Sequence, residues 1–151
     1  MPIAGADPLA ITTFTTLCNP IHAPVPAKTS DPNWVGARGA NLLDGGAPFY
    51  DTYETADHRF VSLAPLEPKF FATLATAIGL PERFVQRQYD RRLWPEMREA
   101  IATIIRSRTR DEWCALLEGT DACFAPVLRF DEAPAHRHAR ARSGFIEVDG
   151  V

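Results

Sequence analysis

Between Leu63 and Phe71 the chain reads LAPLEPKFF, and its hydrophobic period changes inside that stretch. Upstream, residues 59–64 (RFVSLA) alternate as a strand does. Downstream, Phe70, Phe71, Leu74 and Ile78 recur at helical spacing. Pro68 suits the first helical position, where a missing N–H does no harm, and Gly79 suits the helix end. A strand must therefore stop and a helix must start at one sharp corner. The residue at that corner is Glu67, although Ser, Thr, Asp or Asn caps a helix better.

The flanking patterns extend this frame. Residues 49–55 (FYDTYET) form a second strand-like run, joined to the first by Ala56-Asp57-His58, which reads as a hairpin. Tyr50 and Tyr53 read as same-face tyrosines at a core edge. A short helix is expected within 81–89. An amphipathic helix is expected over 94–107, with Met97, Ile101, Ile104 and Ile105 on one face. Thr109-Arg110-Asp111-Glu112 is a capping box, and it opens a helix carrying Trp113, Leu116 and Leu117. Residues 123–128 (CFAPVL) read as a strand whose proline demotes it to an edge or a strand end. Asp131 is expected to start another helical turn, and Phe145-Ile146-Glu147-Val148 a final strand. Strands and helices are partly segregated, with no regular βαβ repeat. The expected class is α+β: a small, mainly antiparallel sheet with several flanking helices. Prolines at 20, 24, 26 and 32 mark residues 1–33 as a connector and the end of something larger, and the domain as 34–151.

Composition excludes several functions. A net charge of -3 gives no electrostatic reason to bind nucleic acid or an anionic membrane. Cys18, Cys114 and Cys123 are an odd number without metal-like spacing, which favours a reducing compartment. No basic residue precedes Lys28, and no apolar run approaches a membrane span; a cytoplasmic protein is expected.

Few residues carry chemistry. Gly45-Gly46 precedes a strand, whereas a phosphate-cradling loop precedes a helix. His136 and His138 form an H-x-H pair, but Arg137, Arg140 and Arg142 surround it and would repel a cation, so no metal is expected. Cys123 has no histidine near it in sequence and reads as a buried structural thiol. Glu67 stands out. The helix dipole would favour its charge, while burial among Leu63, Leu66, Phe70 and Phe71 would oppose it, and a carboxylate so placed suits proton handling. An exposed glutamate that merely complements the dipole is the plainer alternative.

Four stretches add a resemblance: RGANLLDGGAPFYDTYETAD (38–57), LAPLEPKFF (63–71), WPEMREAI (94–101) and EWCALLEGTDACFAPVLRFDEA (112–133). Together they resemble the class III CoA-transferase family, and within it the branch that racemises 2-methylacyl-CoA thioesters. The resemblance covers residues 34–150 and implies the small domain of a two-domain enzyme that forms interlocked dimers. It also implies a histidine and an aspartate on a large domain as the opposed acid and base, with Glu67 lying against that aspartate. Tyr50, Leu66 and Cys123 then match positions lining the same cleft near the acyl group. The implied partners are an acyl-CoA thioester and either further copies of the chain or a large-domain chain; coenzyme A enters only as part of the substrate. His58 departs from the family pattern, which favours Gly there, and Lys69 stands where Gln is favoured. The alternatives are a non-catalytic remnant or oligomerisation module of the same fold, or part of a CoA-transferase.

Overall fold

A computed structural model of the chain describes residues 35–146. Strands β1 (Asp51–Glu54) and β2 (Phe60–Leu63) form the hairpin, pairing Asp51 with Leu63 and Tyr53 with Val61. The chain then enters helix α1 (Pro68–Ile78), the short α2 (Glu82–Val85), and a 3-10 turn over Arg91–Leu93 that runs into α3 (Trp94–Ile105). Helix α4 (Arg110–Leu117) leads to β3 (Phe124–Val127), which pairs antiparallel with β2. A 3-10 turn over Ala133–Ala135 and helix α5 (Arg137–Ala141) follow. The sheet order is β1-β2-β3, so the fold is α+β with a three-stranded antiparallel sheet. Pro126 lies in the edge strand β3, where its missing N–H breaks no ladder between two neighbours.

The helix signals act as read. Glu67 is the N-cap of α1 in extended conformation, as a residue before proline must be, and Gly79 closes the helix at φ +75°. The Thr109 hydroxyl and the Glu112 carboxylate complete a reciprocal capping box on α4. Phe49, Val61, Leu63, Phe71, Leu74, Phe84, Met97, Ile101, Ile105, Trp113 and Leu117 are buried in one core between the sheet and the helices.

Several expectations shift. Leu116 is exposed, and the buried face of α4 is Arg110, Trp113 and Leu117, one turn apart from each other. Ile104 is only half-buried, because Ile101 and Ile105 take the inner stripe of α3. Tyr50 lies one residue before β1, and a separation of three in an extended chain turns it away from Tyr53. Tyr53 is buried, its hydroxyl donating to the Pro48 carbonyl at 2.5 Å, whereas Tyr50 is half-buried. The turn near Asp131 becomes a 3-10 turn capped at Glu132. Phe145 and Ile146 are exposed and outside any strand; Glu147 and Val148 fall outside the described residues, as does the connector expected over 1–33. His58 holds φ +57° in the hairpin turn, a left-handed conformation that costs an L-residue energy and that glycine adopts freely.

Candidate functional site

The sheet register brings the four candidate residues to one end of the sheet. Asp51 pairs with Leu63 and Leu63 with Phe124, so Tyr50, Ala64 and Cys123 each lie one residue beyond that row, at the same end of the sheet. The Ala64 N–H donates to the Cys123 carbonyl at 2.9 Å, which joins two of the three. Two and three residues beyond Ala64 come Leu66 and Glu67, at the head of α1. Segments separated by more than fifty residues in sequence thus meet at a single edge.

Glu67 is exposed at that edge and makes no capping hydrogen bond with its side chain. The expected burial among apolar neighbours is not found. Leu63 and Phe71 are buried in the core, whereas the Glu67 side chain is exposed. Its backbone carbonyl takes the first helical bonds, from Phe70 and Phe71, each at 3.0 Å. The Lys69 Nζ lies 4.4 Å from the centre of the Phe70 ring.

Cys123 is an exposed free thiol, not a buried one, and its backbone holds φ +48°. That turn follows Gly119, at φ +81°, and is pinned where the Thr120 hydroxyl donates to the Leu117 carbonyl at 2.7 Å. Local desolvation pushes the Cys123 thiol up, and the carboxylates of Glu67 and Asp121 push it the same way. The thiol is therefore a poor nucleophile at neutral pH. Glu67 also lies close enough to be felt at the sulfur. Glu67→Gln is expected to lower the pH midpoint of Cys123 alkylation, read by site-resolved mass spectrometry. An unmoved midpoint would mean that the two side chains are not neighbours.

The GGAPFY turn that precedes Tyr50 is held from α3. Arg98 Nη2 donates to the Gly45 and Gly46 carbonyls at 2.7 and 2.9 Å, and its Nη1 pairs with Asp51 at the start of β1. Asp44 accepts from the Asn41 backbone N–H at 2.7 Å and from its side-chain amide at 2.8 Å. Burial raises the Asp44 carboxyl, but hydrogen bonds from Asn41, Gly46 and Ala40 outweigh that and hold it below its ordinary range.

Two side chains with no signature in the sequence complete the corner. Gln88 Nε2 donates to the Pro65 and Leu66 carbonyls at 3.1 and 2.9 Å, and the Tyr89 hydroxyl donates to the Leu66 carbonyl at 2.5 Å. Open grooves lie elsewhere: one of about 590 Å³ beside Phe124, Pro126 and His136, another of about 430 Å³ beside Trp94 and Arg98. Neither is lined by Tyr50, Leu66, Glu67 or Cys123. His136 and Arg137 lie against Glu118, at 3.4 and 3.1 Å. Among the described residues no three His, Cys, Asp or Glu side chains gather as a metal site would require, and no helix is long and apolar enough to cross a membrane.

Comparison with known proteins adds the relatives. The family model for CoA-transferase family III matches residues 12–151. Over 117 residues the chain is 46% identical to alpha-methylacyl-CoA racemase of Mus musculus, covering 78% of this chain and 30% of that protein. The Homo sapiens racemase is 43% identical over 113 residues, covering 75% of this chain and 30% of that protein. A CaiB/baiF CoA-transferase family protein of Caenorhabditis elegans is 30% identical over 109 residues, covering 71% of this chain and 30% of its own length. The chain thus spans under a third of the length of these curated relatives.

Proposed function

Because the chain belongs to CoA-transferase family III, we propose that residues 34–151 serve as the small domain of an acyl-CoA racemase acting on 2-methylacyl-CoA thioesters. Residues 1–33 are the connector toward a large domain, and catalysis requires that domain. The α-proton of a thioester is weakly acidic, so inversion needs a base on one face of the carbon and an acid on the other. Both belong to the large domain. Glu67 stands against the acidic member of that pair, and two close carboxylates share one proton, which brings the pair into working range. Tyr50, Leu66 and Cys123 line the acyl side, Tyr50 as a hydrogen-bond donor and the other two as apolar contacts.

The observation that carries this reading is that Tyr50, Ala64 and Cys123 each lie one residue beyond the last paired row at one end of the sheet, with Glu67 exposed nearby. Four residues from three segments gather outside both grooves described above, as half of an inter-domain cleft would. The similarity to racemases supports the choice of reaction.

The test is α-proton exchange into deuterated water with a 2-methylacyl-CoA thioester, in the enzyme completed by a large domain. Glu67→Gln should leave thermal unfolding unchanged and slow exchange about tenfold, the worth of one unit in its partner's pKa. Exchange at the wild-type rate would sink the role of Glu67.

A further inference from the structure

Both lone-pair directions of the Leu66 carbonyl are occupied from outside its own segment. Gln88 Nε2 reaches it at 2.9 Å and the Tyr89 hydroxyl at 2.5 Å, from residues 22 and 23 positions away. Pro68 forces Glu67 out of the helical conformation, so the carbonyl before it has no place in α1. An unheld peptide at this point would be free to rotate, and the Glu67 side chain would rotate with it.

Tyr89 is placed by more than this one bond. Its ring meets Phe49 edge-on, with centroids 5.5 Å apart, and Phe49 is the residue before Tyr50. One side chain therefore ties the segment carrying Tyr50 to the peptide carrying Glu67. Gln88 is 4% exposed, and its Oε1 is buried with no hydrogen-bond partner. An orphaned amide oxygen costs stability, and an apolar residue of similar volume would avoid that cost. Its amide is also fixed in orientation, because a flip would set Oε1 against two carbonyl oxygens. The Trp94 indole N–H donates to the Gln88 carbonyl at 2.9 Å, which anchors the backbone from which both donors project.

We infer that Gln88 and Tyr89 are positioning residues for Glu67: by clamping the Leu66 carbonyl they fix the direction in which the carboxylate leaves the corner. This rests on the proposed role of Glu67 in proton transfer. The constraint is the kind that sites of chemistry require, since a displaced carboxylate keeps its charge and loses its geometry.

Two measurements test it. In this chain alone, the alkylation midpoint of Cys123 reads the nearby Glu67 charge. Tyr89→Phe keeps the ring on Phe49 and removes one donor; Gln88→Met removes the other at similar volume. Each should move the midpoint toward the Glu67→Gln value and should move nothing further when Glu67→Gln is already present. An unmoved midpoint, an equal shift in both backgrounds, or a Glu67→Gln midpoint equal to wild type overturns the inference. In the completed enzyme, Tyr89→Phe should lower kcat for α-proton exchange about threefold with KM unchanged, and have no effect on top of Glu67→Gln. An unchanged kcat overturns the functional half of the inference. Normal exchange in Glu67→Gln sinks the proposed function instead, whatever the alkylation result.

Discussion

Gly46→Ala is expected to destabilise the chain by about 3 kcal/mol, at the upper end of overpacking costs. A Cβ on Gly46 would lie 2.4 Å from the Asn41 carbonyl oxygen, 2.6 Å from the Asn41 nitrogen and 2.7 Å from the Ala40 carbonyl carbon. All three are backbone atoms, so no rotamer change can make room. The same approach carries the 3.1 Å hydrogen bond from the Gly46 N–H to the Asn41 carbonyl, which would be lost as the two arms of the turn part. Arg98 holds the Gly46 carbonyl and Asp51 together, so the disturbance passes directly to the start of β1 and to Tyr50. Gly45→Ala is the control. Gly45 has φ +91° but nothing within 4 Å of an added Cβ, so its cost is conformational alone, about 1 kcal/mol. Urea unfolding of both variants separates the two mechanisms. Equal losses would mean that the close approach at Gly46 relaxes freely.

The contrast between the two glycines also marks what the sequence makes legible. A Gly-Gly pair announces a turn, but which glycine is crowded depends on where Asn41 passes. The strand-to-helix corner was readable because Pro68 and Gly79 act on their own backbone. The edge position of β3 was readable because Pro126 lacks a donor. The capping box at Thr109 and Glu112 is likewise a local bond. The candidate site was less legible. Glu67 could be singled out by its odd placement, yet its exposure depends on Leu63 and Phe71 taking the inward directions, a tertiary fact. The exposure of Cys123 escapes the sequence for a similar reason. The left-handed turn that exposes it arises from the chain's return to pair with Ala64. The convergence of Tyr50, Leu66, Glu67 and Cys123 was implied only by family resemblance, since no periodicity joins residues so far apart. Gln88 and Tyr89 left no pattern at all, because their partners are backbone carbonyls, which every residue possesses.

Arg110→Ala is the second large effect, an expected loss of about 3 kcal/mol at neutral pH. Arg110 opens α4, where the helix dipole disfavours a cation, and it is only 6% exposed. Three elements meet on it. Its Nη1 donates to the Val127 carbonyl at 3.0 Å, and its two terminal nitrogens grip Glu132 at 2.9 Å each. Its backbone N–H donates to Asp57 in the hairpin turn at 3.1 Å. The side chain thus ties α4 to the end of β3 and to the segment after it, while Arg59 reaches the same Glu132 at 3.3 Å. Arg110→Met separates the contributions, because it keeps the apolar stem and removes the charge. The loss should also depend on pH. Hydrogen bonds from Arg110 first, then the Arg129 backbone N–H, hold the Glu132 carboxyl at about 2, below its ordinary 4.5. A carboxylate depressed in the folded state adds stability that is complete above the unfolded value and vanishes as pH falls through the folded one. The gap between wild type and Arg110→Ala should therefore be full above 4.5 and narrow steadily as pH falls toward about 2. Unfolding free energies measured at about pH 7 and about pH 3 decide the matter. A gap that stays constant would assign the loss to packing of the arginine stem, and the ion pair would then add nothing to the junction of α4 and β3.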